Sequence, residues 1–226
     1  MLQFDRITKN GTDRIGCTID TLVIAGWAGR DVAAIEHHIE ELAAIGVPRP
    51  STTPLYYRVA AQTLTQADKL VVLGPDSSGE VEPVVIALAD GLWIGIGSDH
   101  TDRKAETFGI ALSKQLCGKP VGRQLWSYAE IEGHWDDLML RSWATIDGQR
   151  ILYQESAVSS LRTPRDLIRK YADADTLPPG TLMFCGTPGA IGGIRPAARF
   201  DMELHDPVLQ RSLTHGYDID VLPVVS

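Results

Sequence analysis

The chain has 226 residues, of which 44% are hydrophobic and 22% charged, a composition typical of a globular protein with a real core and not of a disordered chain. The formal net charge of -8 argues against a nucleic-acid partner, which would require a basic surface. The lack of an 18-residue apolar run, of a signal-peptide pattern and of a pairing pattern among the three cysteines predicts a cytoplasmic protein without a membrane partner.

Residues 1–27 are predicted to form β-structure, and an amphipathic helix is predicted over residues 31–45. Asp31 is a suitable N-cap for this helix, and Gly46 is a suitable stop. His38 and Glu41 lie three residues apart at the border of the apolar stripe, so their side chains can meet at the edge of the core. A surface helix with a partly buried histidine explains the same pattern, and both interpretations stay open.

A proline-rich connector leads to strands predicted over residues 55–59 and 69–73. The stretch that follows places two glutamates, Glu80 and Glu82, directly ahead of an apolar run that ends at residue 88. Side chains two residues apart on an extended chain share one face, so these carboxylates would repel each other. Next to a core, such a pair needs a shared proton, a basic partner or a metal ion, whereas in a solvated loop it needs none of these. Pro83 predicts a bulge or an edge position in this strand.

The dipeptide Asp90-Gly91 predicts a hairpin turn, and the return strand over residues 92–97 ends just before Asp99. The hairpin would bring Asp99 back toward the two glutamates. Three converging carboxylates are the oxygen-only ligand set that Mg²⁺ prefers, with Mn²⁺ and Ca²⁺ as alternatives. His100 is interpreted as a turn residue and not as a ligand. If the glutamates instead face solvent, no metal binds.

A helix is predicted over residues 102–119, with Phe108, Ala111 and Leu112 directed inward. The glycine-rich loop at residues 186–193 would let a ligand approach the backbone closely, but it lacks the ending of a phosphate-binding loop. Other elements predicted from apolar runs and turns are strands over residues 138–143, 150–154 and 181–185, a turn at 147–148 and a helix over 165–171.

In this order, the motifs resemble those of the fumarylacetoacetate hydrolase (FAH) family, in a divergent bacterial branch similar to DUF2848. The resemblance spans roughly residues 22–205. The matching segments are the HxxEL lid helix at residues 38–42, the P-x-x-F strand at 54–57, the E-x-E metal motif at 80–82, the N-D-x-[ST]-x-R motif at 98–103, a lysine at 114 and the signature ending in G-T-P-x-G at 177–189.

The sequence departs from the family pattern at several positions. Ser98 replaces the asparagine of the family, Thr181 replaces an aspartate and Cys185 replaces a threonine. A lysine that follows the P-x-x-F motif in the family falls on Val59, or on Arg58 if the strand shifts by one residue. Substrate contacts are therefore expected to differ more than the metal site.

The resemblance implies an α+β, β-rich fold with mixed, mostly antiparallel strands that form a rolled, barrel-like core. It implies one catalytic domain over residues 1–226, whose first 50 residues form a small N-terminal part with a lid helix at 31–45. A homodimer is also expected. The metal ligands carried over from the family are Glu80, Glu82 and Asp99.

The resemblance further implies a metal-dependent hydrolase that cleaves a carbon–carbon bond in a small 2-oxo or 1,3-dicarbonyl acid through a metal-stabilised enolate. A decarboxylase, a hydratase, a keto–enol isomerase and a non-catalytic small-acid binding protein are the alternatives. The residues implied in catalysis are His38, Glu41, Lys114 and Thr187. The residues implied in substrate binding are Tyr57, Arg58, Arg103, Gly186 and Thr187.

Overall fold

The computed structural model describes residues 1–44 and 49–225; within the first helix, the side chains of His38, Glu41, Leu42 and Ala44 lie outside that description. The helices are α1 Val32–Ala44, α2 Arg103–Glu106, α3 Ile110–Leu116, α4 Tyr128–Ile131 and α5 Pro164–Ala172. The strands up to the middle of the chain are β1 Leu2–Thr8, β2 Gly11–Cys17, β3 Thr21–Gly26, β4 Leu55–Val59, β5 Leu64–Thr65, β6 Lys69–Leu73, β7 Ser77–Ser78, β8 Val81–Leu88 and β9 Gly91–Ser98. The later strands are β10 Thr101–Asp102, β11 Lys119–Pro120, β12 Gln124–Ser127, β13 Met139–Ile146, β14 Gln149–Ala157, β15 Thr181–Phe184, β16 Arg199–Asp206 and β17 Arg211–Leu222.

Two sheets form the body of the protein. The larger has eight strands in the order β2-β1-β12-β9-β8-β15-β3-β4, and the smaller has five in the order β14-β13-β16-β17-β6. Most neighbours are antiparallel, but β1 and β12, β3 and β15, and β6 and β17 run parallel. The expected β-rich α+β fold is confirmed. In the described part of the chain both strand orders have two ends, so the barrel-like core consists of open sheets.

Strand β8 lies near the middle of the larger sheet and is buried on both faces. Its alternate residues enter two different apolar clusters: Val81, Val85 and Ala87 join one cluster, whereas Val84 and Ile86 join the other. This period of two follows from the pleat of the strand. Because apolar side chains cover both faces, the strand has a continuous apolar run in place of an alternating pattern.

Pro83 does not cause the bulge or edge position that was predicted. The pairing of β8 with β9 runs without a shift, with Pro83 opposite Ile96. On the other side, the last residue of β15 to pair is Phe184, and the Pro83 carbonyl accepts a hydrogen bond of 3.0 Å from the Cys185 N–H. Pro83 lies one residue beyond the last β8–β15 pair, so its missing N–H falls at the end of this ladder and does not interrupt the paired region.

The helix predicted over residues 102–119 is two short helices, α2 and α3, separated around Gly109. The prediction that Phe108 and Leu112 point inward is wrong, since they are 81% and 49% exposed, and Ala111 is exposed too. The break at Gly109 interrupts the helical periodicity, so a periodicity counted across it selects the wrong face. The side chain that α3 buries toward the site is Lys114.

Several local predictions hold. The Asp31 carboxylate accepts a hydrogen bond of 3.0 Å from the Ala34 N–H and caps α1, whereas the predicted stop at Gly46 lies outside the described residues. Asp147 and Gly148 have positive φ angles of 51° and 76° at the β13–β14 turn, as this type of hairpin requires. No helix in the described ranges combines the length and apolarity needed to cross a membrane. The single-domain division stays a prediction.

Candidate metal centre and cavity

Three carboxylates meet where β8 begins and β9 ends. Glu80 directly precedes β8, Glu82 is the second residue of that strand, and Asp99 directly follows β9. Their ligand oxygens all lie within 4.8 Å of one another. The Asp99 N–H donates to the Glu80 carbonyl at 3.0 Å, which fixes the crossing of the two chains. The hairpin turn at residues 90–91 therefore brings the three side chains together in a group that could hold a divalent metal.

Three cationic side chains face these carboxylates. The Lys114 ammonium contacts Asp99 Oδ2 and lies 3.5 Å from Glu80 Oε2. Arg103 Nη2 donates to Glu80 Oε1 at 2.9 Å. Lys119 Nζ lies 3.3 Å from Asp99 Oδ1 and donates to the carbonyls of His100 and Cys117. Direct ion pairs thus compensate the charges of Glu80 and Asp99.

The pKa directions follow from burial and these pairs. Burial raises the pKa of Glu80, but Lys114 and Arg103 outweigh it and lower the pKa to about 2. Burial raises the pKa of Glu82 well above its usual value, and the charges of Asp99 and Glu80 add to the effect. Burial opposes charge on Lys114, yet Asp99 and Glu80 raise the pKa of its ammonium above the ordinary value. Lys114 is therefore charged in the folded protein.

The donor set fits a hard divalent cation. All three groups offer carboxylate oxygens, which Mg²⁺, Mn²⁺ and Ca²⁺ prefer over nitrogen or sulfur. Asp99 is fully buried, and its Oδ1 atom accepts no hydrogen bond although Lys119 lies 3.3 Å away. Buried polar atoms normally have a hydrogen-bond partner, so this oxygen has spare capacity for a ligand.

A cavity of about 510 Å³ opens above the carboxylates. It is walled by the end of β3 with the residues after it, by the start of α1 and by α2 and α3. Six of the residues implied by the family resemblance line it, namely Tyr57, Glu80, Glu82, Lys114, Gly186 and Thr187. Asp31, Ile35, Glu106 and Ile110 also line it. The volume is in the range of small-molecule sites.

The loop after β15 forms the wall opposite α1. The Gly186 N–H donates to Glu82 Oε2 at 2.6 Å, and Gly186 has a φ of 100°. A Cβ atom at this position would lie 2.8 Å from the Cβ of Ala28, so only glycine fits. The Thr187 hydroxyl donates to the Val81 carbonyl at 2.9 Å and accepts from Gln154 Nε2 at 2.8 Å. Both predicted donors are therefore engaged within the protein and hold the Glu82 side of the site.

The two arginines implied in substrate binding occupy different places. Arg103 donates to Ser78, Glu80 and Glu106, and it lines a smaller cavity of about 270 Å³ beside the glycine-rich loop. Arg58 lies on the face of β4 opposite Tyr57; it is exposed and donates to the Tyr171 hydroxyl at 3.2 Å. Arg58 is not among the described residues that line the larger cavity.

Of the two histidines near the site in the sequence, the structure describes the side chain of His100 but not that of His38, the predicted base. The side chains of His38 and Glu41 lie outside the described part of the structure, so their roles stay predictions. His100 sits in the connector after β9, as a turn residue would, but it is fully buried. Its Nδ1 and Nε2 atoms are hydrogen-bonded to Tyr217 and Ser77, both at 2.9 Å. Burial lowers the pKa of His100 to about 3, so it is a neutral structural residue.

Sequence reasoning missed three residues of the site. Lys119 pairs with Asp99, Gln154 holds Thr187, and Glu106 lines the cavity. The signal for Gln154 was available, because it is a polar residue that continues the apolar run of a predicted strand. Lys119 gave no such signal, since its pairing with Asp99 depends on how β11 is placed.

Comparisons with known proteins agree with this architecture. A family model described as "Protein of unknown function (DUF2848)" matches residues 25–217. No curated protein matches the sequence. The crystal structure of Cg1458 with inhibitor superposes with a TM-score of 0.64 at 18% identity, covering 95% of this chain and 81% of that one.

Two structures of a dehydratase are also similar. A hexagonal crystal form of 2-keto-3-deoxyarabinonate dehydratase gives a TM-score of 0.64 at 15% identity, covering 91% of this chain and 75% of that one. 2-Keto-3-deoxy-D-arabinonate dehydratase complexed with magnesium and 2,5-dioxopentanoate gives a TM-score of 0.61 at 14% identity, covering 96% and 79%. At such identities the likeness shows the fold alone, and it agrees with the FAH-like fold expected from the sequence.

Proposed function

The chain belongs to the family described as DUF2848, and on that premise we propose that it is a metal-dependent enzyme acting on a small 2-oxo or 1,3-dicarbonyl acid. Our first candidate reaction is hydrolytic cleavage of a carbon–carbon bond through an enolate. The observation that carries the proposal is the group of three carboxylates, Glu80, Glu82 and Asp99, of which Glu80 and Glu82 line a cavity of about 510 Å³.

We assign separate roles to the carboxylates, to Lys114 and to the apolar side chains of the cavity. A divalent ion held by the three carboxylates, with Mg²⁺ as our first choice, would supply the positive charge that stabilises an enolate. The Lys114 ammonium borders both the carboxylates and the cavity, so it can orient an anionic group of the substrate. The apolar side chains of Ile35 and Ile110 restrict water on the wall that faces the substrate.

Proton transfer is assigned to the first helix. Asp31 and Ile35, from the start of α1, border the cavity, so the helix that carries His38 lies beside the site. We propose that His38, polarised by Glu41, activates a water as general base, an effect typically worth about 10² to 10⁴ in rate. We further propose that the helix acts as a lid that orders when substrate binds.

Dehydration is the second candidate reaction. A structural neighbour is a 2-keto-3-deoxy-D-arabinonate dehydratase complexed with magnesium and 2,5-dioxopentanoate. Cleavage begins with attack of the activated water on a carbonyl, whereas loss of water from a 2-oxo acid begins with proton removal next to the carbonyl. Both reactions need a base and pass through an enolate, so we propose that the same side chains would serve either one. The product distinguishes them, because cleavage yields two fragments and dehydration yields one.

The test is a product assay on chelator-stripped protein. Acylpyruvates and 3-deoxy-2-oxo acids would be incubated with and without Mg²⁺ or Mn²⁺, and the products identified by NMR. We expect turnover only with metal. Asp99→Ala should lose both metal binding and turnover, whereas Asp137→Ala, at an exposed position outside the cavity, should keep both. Metal-independent turnover, or full activity in Asp99→Ala, would refute the proposal.

A second variant tests the assignment of His38 as the general base. His38→Ala should bind metal as tightly as the unsubstituted protein while its turnover falls by a factor of about 10² to 10⁴. Retained turnover would remove His38 from the mechanism without affecting the metal site.

We also propose that the protein acts in the cytoplasm as a homodimer with a small carboxylic acid as its only other partner. The exposed apolar side chains of Phe108, Leu112 and Leu116 offer a surface that a second copy could cover. Light scattering coupled to size exclusion would measure the mass, and a mass of one chain at micromolar concentration would contradict the dimer.

A further inference from the structure

The Lys114 ammonium occupies a position among the carboxylates that suits a metal cation. It contacts Asp99 Oδ2, lies 3.5 Å from Glu80 Oε2 and has a side chain that is only 8% exposed. Its Nζ atom also lies 5.9 Å from the centre of the Tyr57 ring, on the cavity side. Lysine and metal therefore compete for the same oxygens.

The cations already present near the carboxylates also oppose binding of a metal ion. Three cations already pair with two of the carboxylates: Lys114 and Arg103 with Glu80, and Lys114 and Lys119 with Asp99. Arg103 also pairs with Glu106, so Lys114 is the cation that bridges Glu80 and Asp99. Glu80 and Asp99 therefore have counter-cations before any metal enters. A divalent ion would bring two more positive charges beside the Lys114 ammonium in a largely buried place, where charges are poorly screened.

An anionic ligand would offset the positive charge that a divalent ion brings to the site. The enolate form of a 2-oxo acid carries one negative charge on its carboxylate and one on its enolate oxygen, and together they match the charge of a divalent ion. The Lys114 ammonium borders the cavity, so it could turn toward such a ligand as it leaves the carboxylates.

We propose that Lys114 is a built-in counter-cation of the carboxylate group, and that it makes binding of the divalent metal depend on simultaneous binding of a dianionic oxygen ligand. This inference rests on the proposed metal site and goes beyond it, because it assigns an order to the site: the metal alone binds weakly, and metal and 2-oxo acid bind together. Lys114 is then a residue that couples two ligands as well as a substrate contact.

The test measures Mn²⁺ affinity by titration calorimetry and by the EPR signal of free Mn²⁺. Each titration is run without a second ligand, with oxalate as a dianionic enolate mimic and with oxamate as its monoanionic counterpart. In the unsubstituted protein we expect oxalate to tighten Mn²⁺ binding at least tenfold and oxamate to tighten it less.

The Lys114→Met variant separates this coupling from simple chelation. We expect it to bind Mn²⁺ alone at least tenfold more tightly than the unsubstituted protein, with a smaller gain from oxalate. Its metal-free form should melt at a lower temperature and be stabilised more by Mn²⁺, because the carboxylates then lack their counter-cation. Lys104→Met, at an exposed lysine of the neighbouring helix α2, is the matched control and should behave like the unsubstituted protein.

The outcomes distinguish this inference from the proposed function. Absence of Mn²⁺ binding to every variant, with or without oxalate, would refute both. Tight Mn²⁺ binding to the unsubstituted protein that neither oxalate nor Lys114→Met changes would refute the coupling and leave the metal site standing. If Lys114→Met does not fold, the comparison of oxalate with oxamate on the unsubstituted protein decides, and equal gains from the two would overturn the coupling.

Discussion

At the scale of single residues, the Gln154 side chain joins several segments of the site by hydrogen bonds. Its Oε1 accepts from the Val81 N–H at 3.1 Å and from the Ser142 hydroxyl at 2.9 Å. Its Nε2 donates to the Thr187 hydroxyl at 2.8 Å and to the Pro188 carbonyl at 2.6 Å. The side chain is almost fully buried and all four of its bonding positions are used. It thereby ties the smaller sheet to β8 and to the loop after β15.

Gln154→Met should destabilise the protein by about 2–4 kcal/mol, because it leaves the buried Val81 N–H and the Ser142 hydroxyl without their acceptor. Urea denaturation measures the loss. Gln149→Met, at the exposed start of the same strand, is the control and should change the free energy of unfolding by less than about 0.5 kcal/mol. A loss in Gln154→Met no larger than in the control would mean that water replaces the amide.

The residues of the candidate site were predictable to the extent that they obey strand geometry. Glu80 and Glu82 follow the period of two, and the turn at residues 90–91 determines where Asp99 returns. Lys119 was not predicted as a site residue, because its pairing with Asp99 depends on β11 lying beside β5, with Lys119 opposite Leu64. No local pattern encodes a contact between segments so far apart.

At the scale of elements, the described side chains of α1 bury little apolar surface. Among its described side chains only Ile39 is buried, and Val32 is 58% exposed. Asp31 both caps the helix and borders the cavity. Elements with few buried apolar side chains open at a lower free energy than the rest of a protein. This supports the proposal that the helix moves when substrate binds.

Asp31→Ala should weaken α1 by about 0.5–2 kcal/mol, because the Ala34 N–H loses its acceptor at the helix start. The effect should be local, so hydrogen exchange should speed up in residues 32–44 while the melting temperature of the whole protein changes little. Glu40→Ala, an exposed position on the same helix, should leave exchange unchanged. Unaltered exchange in Asp31→Ala would show that packing alone holds the helix.

The predicted hairpins were reliable and the long helix was not, for a physical reason. A two-residue turn such as Asp147-Gly148 needs positive φ angles, and the sequence supplies residues that tolerate them. The break between α2 and α3 has only a local mark, Gly109, and a single glycine is tolerated within helices. Across this break, Arg103 from α2 and Lys114 from α3 both reach Glu80, a long-range arrangement that the local sequence does not encode.

At the scale of the whole molecule, two histidines with lowered pKa values, the partly buried His215 and the buried His100, make stability sensitive to mild acid. His215 has a buried Nε2 without a hydrogen-bond partner, and burial lowers its pKa. The charges of Arg123 and Arg199 lower the pKa further, whereas Asp68 and Asp201 oppose them. In the unfolded chain such a histidine titrates near pH ~6.5. Between these two pKa values the unfolded state binds more protons than the folded state.

Stability should therefore fall as the pH drops below about 6.5, by at most about 1.4 kcal/mol per pH unit for each such histidine. His100, with a pKa of about 3 in the fold, contributes with the same sign. His215→Gln should reduce the slope of the unfolding free energy between about pH 6.5 and pH 5, as measured by urea denaturation at several pH values. A slope identical to that of the unsubstituted protein would show that His215 accepts a proton without unfolding.

The parallel pairing of β3 with β15 has a consequence for the growing chain on the ribosome. Thr21 pairs with Thr181, so one edge of β3 waits for a partner made 181 − 21 = 160 residues later. At translation rates of about 5–20 residues per second, that delay is roughly 8–30 s. During this time the apolar β3 has only β4 beside it, so its open edge is available to chaperones or to other nascent chains. The end of β3 forms part of the cavity wall, so this wall is completed late in synthesis. A chain that stops before Thr181 cannot complete it.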